Sequence, residues 1–383
     1  MKGKAFIVVL CALAIGGIGA LFLLRNSQPH KRGFTGRTQA AYPHTAARLN
    51  RTAYDAKMRQ LANIPLPTDC LPAGAAAKFI KQPRGKATQT VPRARPVAFI
   101  TREAVLKPCP APPWPTHASY PMAGAILPFK RVVAYYGNFY STRMGILGEY
   151  PPDEVLARLA STVNAWAASD PSTPVVPAVD YIVVSAQGTP GRDGMYRMRM
   201  PQGQIEHAMQ MADRAKGLLF LDIQPGWSTV EVEVPRLASY LKRPSVELAL
   251  DPEFTLTAGK QPGAWVGTMS AAQINFAARF LAKIVRENHL PPKILVVHRF
   301  TERMVTDYRD IKPLPEVEIV MDMDGFGSPV LKTSTYKAYI ARQPVQFTGF
   351  KLFYKNDVKI GGQLMTPAQV LGLSPRPSFI LYQ

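Results

Sequence analysis

The chain has 383 residues, of which 46 are Lys or Arg and 26 are Asp or Glu, so its formal net charge is +20. Such basicity is typical of proteins that bind nucleic acids, but residues 1–130 contain 19 basic and 3 acidic residues, whereas residues 131–383 contain 27 and 23. A hydrophobic content of 47% excludes a disordered or collagen-like chain. Because the carboxyl-terminal part is nearly neutral, we predict no nucleic-acid partner.

Residues 1–24 predict a transmembrane signal anchor. Twenty uncharged residues, AFIVVLCALAIGGIGALFLL, lie between Lys4 and Arg25, enough for a helix to cross a hydrocarbon core about 30 Å thick. A cleavable signal peptide is the alternative, but the run exceeds the usual length and no small-x-small cleavage site precedes Arg25. Flanking charges do not decide the orientation, while Cys70 and Cys109 fit a disulfide in an oxidising compartment. We therefore expect a single-pass protein of the cell membrane, with its carboxyl-terminal part on the extracytoplasmic side.

Residues 25–130 predict a Pro-rich basic tether. They include 15 prolines, and runs such as KPCPAPPWP favour extended polyproline II structure. One helix is predicted within them, from Thr45 to Leu61. The basic side chains suit anionic lipid headgroups or wall polymers, and a merely solvated linker is an equal alternative.

Residues 131–383 alternate short apolar runs with amphipathic stretches, which is typical of βα units on a parallel sheet. Eight strands are predicted, at residues 131–139, 180–187, 217–224, 246–254, 294–300, 317–327, 350–356 and 378–383. Helices are predicted between them, at residues 153–169, 204–216, 234–243, 271–289, 302–309, 335–343 and 367–373. This order predicts an α/β fold, a (β/α)8 TIM-type barrel. A doubly wound open sheet is the alternative, although no GxGxxG follows the first strand.

Polar side chains follow the ends of the predicted strands, where the active sites of such barrels lie. Side chains two positions apart on a strand share a face, so these groups are expected to point into one mouth. They are Tyr136, Gln187, Asp222, Gln224, Asp251, Glu253, His298, Asp322 and Asp324. Burying several carboxylates together is unfavourable without a cation, protons or a substrate. A functional site therefore explains this set better than packing does.

The motif LALDPEF places Asp251 and Glu253 after an apolar strand. Two nearby carboxyls do not both ionise easily, so one is driven toward the protonated form that a general acid needs. The motif resembles the DxE at the end of the fourth strand in family 25 glycoside hydrolases, the muramidases of the Chalaropsis type. That resemblance implies that Glu253 is the catalytic acid and Asp251 its acidic neighbour.

The motifs LDIQPG, LALDPEF, LPPKILVVHRF and DMDGFG at consecutive strand ends also resemble an uncharacterised group of exported bacterial proteins with a glycosidase-like barrel. That second resemblance spans nearly all of residues 131–383. It implies export and the barrel fold.

Other chemistries fit less well. A strand followed by DMDG is also found in phosphatases of the haloacid dehalogenase type, but only 59 residues follow Asp324 and they contain no acidic pair. A calcium loop starting at Asp322 would need Glu where Thr333 stands. No nucleophile elbow, barrel cysteine or P-loop occurs. His298 fits a sugar ligand, a proton carrier or a metal ligand, and equally a core histidine satisfied by a carboxylate.

Two tryptophans follow strands that flank the predicted site, Trp227 in QPGWS and Trp265 in GAWVG. Aromatic faces stack on the apolar side of sugar rings, which favours a carbohydrate ligand. Two ordinary half-buried tryptophans are the equal alternative.

We therefore predict a membrane-anchored, extracytoplasmic protein that resembles glycoside hydrolases and acts on a cell-envelope polysaccharide. The predicted catalytic residues are the acid Glu253, its partner carboxylate Asp324, and Asp222 and Asp251. The predicted substrate-binding residues are Tyr136, Gln187, Gln224, Trp227, His298 and Asp322.

No cofactor is predicted, and a divalent cation held by Asp222, Asp251, Asp322 and water is left open. Two other functions are left open as well. One is a metal-dependent hydrolase or phosphodiesterase that uses the same acids with His298. The other is a non-catalytic barrel that binds a glycan or a partner.

Overall fold

The computed structural model describes residues 48–63 and 118–383, and eight parallel strands form a closed barrel within it. Each barrel strand pairs with the next along the chain, and the last pairs with the first. The strands are β1 (Arg131–Gly137), β2 (Val175–Ala186), β3 (Leu218–Ile223), β4 (Val246–Leu250), β5 (Lys293–Arg299), β6 (Val317–Met323), β7 (Phe347–Leu352) and β8 (Phe379–Tyr382). The predicted barrel is confirmed, and the open-sheet alternative is wrong.

One helix precedes the first strand, and the others connect the strands on the outside of the barrel. In chain order they are α1 (Arg51–Ala62), α2 (Pro152–Ser169), α3 (Gln202–Arg214), α4 (Ala271–Asn288), α5 (Pro329–Tyr336), α6 (Asn356–Gly361) and α7 (Pro367–Leu371). Single-turn helices occur at Ile146–Glu149, Val230–Glu233 and Ala238–Leu241, and a π-helical turn at Lys337–Ala341 continues α5.

Three predicted helices differ from the structure. The helix predicted at residues 234–243 is a 3-10 turn, Val234–Leu237, followed by the single-turn helix Ala238–Leu241. The helix predicted at residues 302–309 is wrong: two 3-10 turns flank the short strand Val305–Thr306, which pairs with Met269–Ser270. The helix predicted from residue 335 begins at Pro329, because the Ser328 side chain accepts a hydrogen bond from the Leu331 amide. A Ser-Pro pair is a typical start of a helix, and the periodicity of apolar residues overlooked it.

Successive side chains along each strand point to opposite faces, which gives the barrel two apolar regions. One face of each strand packs against the outer helices, and the other fills the barrel interior with side chains such as Val132, Phe220, Val296 and Phe379. Every residue of β1, β3 and β5 is buried, because the helices cover one face and the barrel encloses the other. The interior positions near the amino ends of the strands are mainly apolar.

Helix α1 closes the amino end of the barrel. Its Tyr54, Met58 and Leu61 are buried in the same apolar cluster as the barrel interior, and the backbone oxygen of Leu61 accepts a hydrogen bond from Arg376 at 2.7 Å. The helix confirms the one predicted from Thr45 to Leu61, with a later start at its N-cap Asn50. This stretch of the predicted tether therefore packs into the barrel core.

The predicted anchor, residues 1–24, lies outside the described residues, as do Cys70 and Cys109. Among residues 48–63 and 118–383, no helix has both the length and the apolar character needed to span a bilayer.

Candidate active site

The carboxyl end of the barrel collects carboxylates from four strands, β2, β3, β4 and β6, or the turns that follow them. We call the six acids the acid cluster: Asp180, Asp222, Asp251, Glu253, Asp322 and Asp324. Strand periodicity explains the placement, since Asp222 lies two residues after the interior residue Phe220 and Asp322 lies two after Val320. The interior-facing positions of these strands are thus apolar near the amino end and acidic near the mouth.

His298 lies at the centre of the acid cluster and is completely buried. Its Nδ1 is 3.0 Å from Asp322 Oδ2 and 3.7 Å from Asp324 Oδ2, while its Nε2 is 3.4 Å from Asp222 Oδ2. Burial alone would lower the pKa of His298, but the contacts with Asp222 and Asp322 raise it well above the usual value. When no metal cation is bound, the imidazole therefore holds a second proton and balances part of the carboxylate charge.

Lys351 supplies the second positive charge of the site, from β7. Its Nζ lies 3.0 Å from Asp324 Oδ1 and 3.8 Å from the centre of the Tyr136 ring. Burial would lower the pKa of Lys351, but the charges of Asp324 and Asp251 raise it above the usual value. The lysine therefore stays charged and fixes Asp324 beside the mouth.

Gln224 links the two sides of the mouth. Its Nε2 donates to Tyr136 Oη at 3.1 Å and to Asp251 Oδ2 at 3.4 Å, and its Oε1 accepts from the Ala186 amide at 3.1 Å. Asp251 in turn caps the 3-10 turn Pro252–Phe254, because its Oδ1 accepts a hydrogen bond from the Glu253 amide at 3.0 Å. This cap turns the chain so that Glu253 follows directly after the strand end.

Glu253 and Asp251 both favour protonation. Burial, followed by the charges of Asp251 and Asp324, raises the pKa of Glu253 to about 8. Burial likewise raises the pKa of Asp251 to about 7, against the opposing charge of His298. Glu253 is half-buried, whereas Asp251 is only 2% exposed. Of this pair, Glu253 is therefore the acid that can offer a proton to a bound molecule.

The deepest acids are closed to solvent. Asp180, Asp222 and Asp322 are each 0% exposed, and burial raises the pKa of both Asp180 and Asp322. Both carboxylate oxygens of Asp180 and of Asp222 are without a hydrogen-bond partner in the described part of the chain. These acids shape the electrostatics of the site without reaching the mouth.

Gly349 leaves room for one of these carboxylates. A Cβ at this position in β7 would lie 2.5 Å from Asp322 Oδ1, which is far inside van der Waals contact. The residue therefore lets Asp322 lie across the neighbouring strand and reach His298.

The aromatic rim of the mouth consists of Tyr196, Trp227 and Trp265, from the loops after β2, β3 and β4. The Tyr196 and Trp227 rings are 4.3 Å apart, and the Trp227 indole donates to the Lys260 backbone oxygen at 2.6 Å. Lys260 also lies over the ring of Trp265, which is 57% exposed. Such a rim can stack against the apolar faces of a ligand.

The structure brings most of the predicted site residues together. Gln224 and His298 contact acids of the cluster directly, and Tyr136 contacts Gln224 and Lys351 beside it. Gln187 instead donates to Ser185 Oγ at 3.1 Å, and Trp227 belongs to the rim; in the part of the chain described, neither shares a hydrogen bond or ion pair with the cluster.

Sequence reasoning missed Asp180 and Lys351 as site residues. The second strand was predicted to begin at Asp180, whereas it begins at Val175 and places Asp180 in the barrel interior. Lys351 follows Phe350 in a strand whose every residue is buried. A charged residue within an apolar run was the available signal in both cases, since such a residue is seldom fully buried without a partner.

A cavity of about 360 Å³ lies away from the acid cluster. Its lining includes Phe139, Tyr150 and His207, on the helical side of the barrel, and none of the six acids. The cavity and the titratable groups therefore lie at different places. Burying charged groups is costly, so the acid cluster marks the candidate site.

Comparisons with known proteins give only distant likenesses. No protein-family model matches the chain, and no curated protein matches it. Among solved structures, a hyperthermophilic endo-β-1,4-glucanase in complex with substrate is 7% identical with a TM-score of 0.35, covering 67% of this chain and 89% of that one. The mannanase man26 of Bacillus subtilis is 10% identical with a TM-score of 0.35, covering 66% and 79%.

A third similar structure, GH26C from Muricauda sp. MAR_2010_75, is 11% identical with a TM-score of 0.26, covering 69% of this chain and 76% of that one. All three TM-scores are below 0.5, so the barrel assignment rests on the strand order of the chain itself. The resemblances to family 25 glycoside hydrolases and to the exported barrel proteins stay predictions.

Proposed function

We propose that the chain is a glycoside hydrolase of a cell-envelope polysaccharide, with Glu253 as general acid and Asp324 as the partner carboxylate. The observation that carries this proposal is the position of Glu253, a half-buried acid at the mouth whose pKa is raised to about 8. At neutral pH such a group holds a proton where a glycosidic oxygen can receive it.

Access separates the roles of the acids. Asp324 is 7% exposed and borders Lys351, whereas Asp222 and Asp251 are 0% and 2% exposed. We therefore assign contact with substrate to Glu253 and Asp324. Asp222 and Asp251 act in this proposal through their charge, because each negative charge nearby makes ionisation of Glu253 harder.

The aromatic rim supports a carbohydrate ligand. Exposed Trp265 and the tilted pair of Tyr196 and Trp227 border the mouth on the side of the loops after β2, β3 and β4. In this proposal a polysaccharide lies across the rim with one linkage at Glu253. The basic segment before residue 131 would favour an anionic envelope polymer.

The test is turnover of purified peptidoglycan and other envelope glycans by the full-length protein. Glu253→Gln keeps the shape of the side chain and removes the proton, and it is expected to lower turnover by about 10²–10⁴-fold. The matched control is Glu231→Gln, an exposed glutamate in the single-turn helix Val230–Glu233 after β3, which is expected to leave turnover unchanged. Equal turnover by Glu253→Gln and the native protein would contradict the assignment.

The same assay separates catalysis from binding. In the alternative of a non-catalytic barrel, the native protein binds glycan and releases no reducing ends. For an active enzyme, proton NMR of the first product shows retention or inversion at the anomeric carbon. Retention makes Asp324 a nucleophile, and inversion makes it a base that activates water.

We also propose that residues 1–24 anchor the protein in the cell membrane with the barrel on the extracytoplasmic side. The support is the uncharged run of twenty residues and its length. Deletion of residues 2–24 is expected to move the protein from the alkaline-washed membrane fraction to the soluble fraction. Protease added to intact spheroplasts should degrade the barrel, and full protection would contradict the orientation.

A further inference from the structure

Asp180, Asp222 and His298 form a buried triad beneath the mouth. Each offers one ligand atom, and these three atoms lie within 4.8 Å of one another. Two ligands of one transition-metal cation, each about 2.0–2.2 Å from it, are separated by about 3–4.4 Å. The triad therefore needs only a small contraction to share one cation.

The carboxylates of the triad have open oxygens. Both oxygens of Asp180 and both of Asp222 lack a hydrogen-bond partner within the described residues, and both side chains are 0% exposed. Buried polar atoms in folded proteins almost always have a partner. A ligand would satisfy these open oxygens, and one cation can bind an oxygen of each carboxylate together with the imidazole.

The imidazole is oriented for the same ligand. His298 Nδ1 lies 3.0 Å from Asp322 Oδ2, and a proton on Nδ1 leaves the lone pair of Nε2 facing Asp222. Histidines that bind metals commonly donate their other ring nitrogen to a carboxylate in this way. Nε2 is itself without a hydrogen-bond partner in the part of the chain described here.

We propose that Asp180, Asp222 and His298 bind one divalent transition-metal cation, with Asp322 as the carboxylate that orients the imidazole. Two carboxylates neutralise the double charge of the cation, and the mixed oxygen and nitrogen donors suit Zn²⁺ or Mn²⁺ better than Mg²⁺ or Ca²⁺, which prefer oxygen alone. Because all three ligands are 0% exposed, the cation does not touch a polysaccharide. It stabilises the buried end of the acid cluster, and this role does not depend on the proposed hydrolysis.

The test is metal binding to the full-length protein, freed of any affinity tag and treated with a chelator. After incubation with ZnCl₂ or MnCl₂ and removal of free metal, elemental analysis is expected to find one equivalent of cation per chain. Asp180→Asn keeps the volume of the side chain and removes a charged ligand, so it should weaken the binding of the same cation at least about tenfold. Binding is measured without glycan, so the metal result can be interpreted even if the protein hydrolyses no glycan.

The matched control is Glu247→Gln, which changes an equally buried carboxylate near the amino end of β4 and is expected to leave the affinity within about threefold of native. Visible absorption of the native protein loaded with Co²⁺ gives a second measurement that needs no variant, and bands typical of mixed imidazole and carboxylate ligation are expected. Less than about a tenth of an equivalent of bound cation would show that protons alone balance the triad. Native affinity in a folded Asp180→Asn protein would also overturn the proposal.

Discussion

The two ends of the barrel bury carboxylates in opposite ways. At the amino end, Glu318 accepts hydrogen bonds from the amides of Ile126 and Leu127 at 3.0 and 2.7 Å, and Glu247 accepts one from Ile294 at 2.6 Å. At the carboxyl end, Asp180 and Asp222 have four oxygens without such a partner in the described residues. The barrel therefore contains satisfied acids at one end, on β4 and β6, and open acids at the other, on β2 and β3.

This difference indicates which acids belong to the fold and which to a ligand. A buried carboxylate that accepts backbone amides holds a segment in place, here residues 126 and 127 before β1. A buried carboxylate without a partner raises the free energy of the folded state until a proton, cation or substrate arrives. Burial alone does not distinguish the two, but their hydrogen-bond partners do.

The largest expected effect is at the closed amino end. Met58→Ala removes a side chain of α1 that packs in the barrel interior, and it is expected to lower the free energy of unfolding by about 2–5 kcal/mol. Arg59→Ala, an exposed neighbour on the same helix, should change it by less than about 0.5 kcal/mol. Denaturant titration of both variants measures the difference, and equal values would mean that α1 does not hold the barrel closed.

A second pair of substitutions compares the two kinds of acid directly. Glu318→Met leaves the amides of Ile126 and Leu127 unsatisfied and is expected to cost about 2–4 kcal/mol. Asp180→Asn, measured with a chelator present, should change stability by less than about 1 kcal/mol, because burial already keeps Asp180 largely neutral. Similar losses in the two variants would remove the distinction between satisfied and open acids.

Gly349→Ala tests how tightly the open acids are positioned. The new Cβ would meet Asp322 Oδ1 at 2.5 Å, so the carboxylate must move, with an expected loss of about 1–3 kcal/mol. Gly203→Ala in α3 meets nothing within 4 Å and should stabilise the chain by up to about 1 kcal/mol, since Ala favours helix. The melting temperatures of the two variants should therefore shift in opposite directions. A shift in the same direction would contradict the close contact between Gly349 and Asp322.

The smallest effect is the pH dependence of one open acid. The pKa of Asp251 rises to about 7 on folding. Its contribution to the free energy of unfolding is therefore complete below about pH 4, the ordinary pKa of an aspartate, and is lost as the pH rises through about 7. Over this range the titration of Asp251 lowers the free energy of unfolding by up to about 1.4 kcal/mol per pH unit. The charges facing it, Asp222, Asp324, His298 and Lys351, modulate that slope.

Asp251→Asn is expected to flatten the fall in stability between pH 5 and 7 when chelated protein is unfolded by denaturant at each pH. Asp213→Asn, an exposed acid on α3, serves as the control and should keep the native slope. An unchanged slope in Asp251→Asn would show that the carboxyl is not retained in its protonated form.

The sequence predicted much of this arrangement because strand periodicity is local. Apolar runs located all eight strands, and the polar residues at their ends, such as Asp222, His298 and Asp322, were predicted to share a mouth. The helix predicted at residues 302–309 was wrong because a short apolar stretch does not distinguish a helix from a strand flanked by turns. Asp180 was missed because an error of five residues in the start of β2 placed it at the amino end of the predicted strand, away from the predicted mouth.

What the sequence determined by itself was the order of elements, the barrel and the end of each strand that carries polar groups, since alternation and helix periodicity are written in neighbouring residues. Only the tertiary structure decided which acids are satisfied and which are open. The partners of Glu318 lie more than 190 positions away along the chain, and the unpartnered oxygens of Asp180 and Asp222 face each other and His298 from three different strands. Closure of the barrel brings these groups together, and no local pattern contains that information.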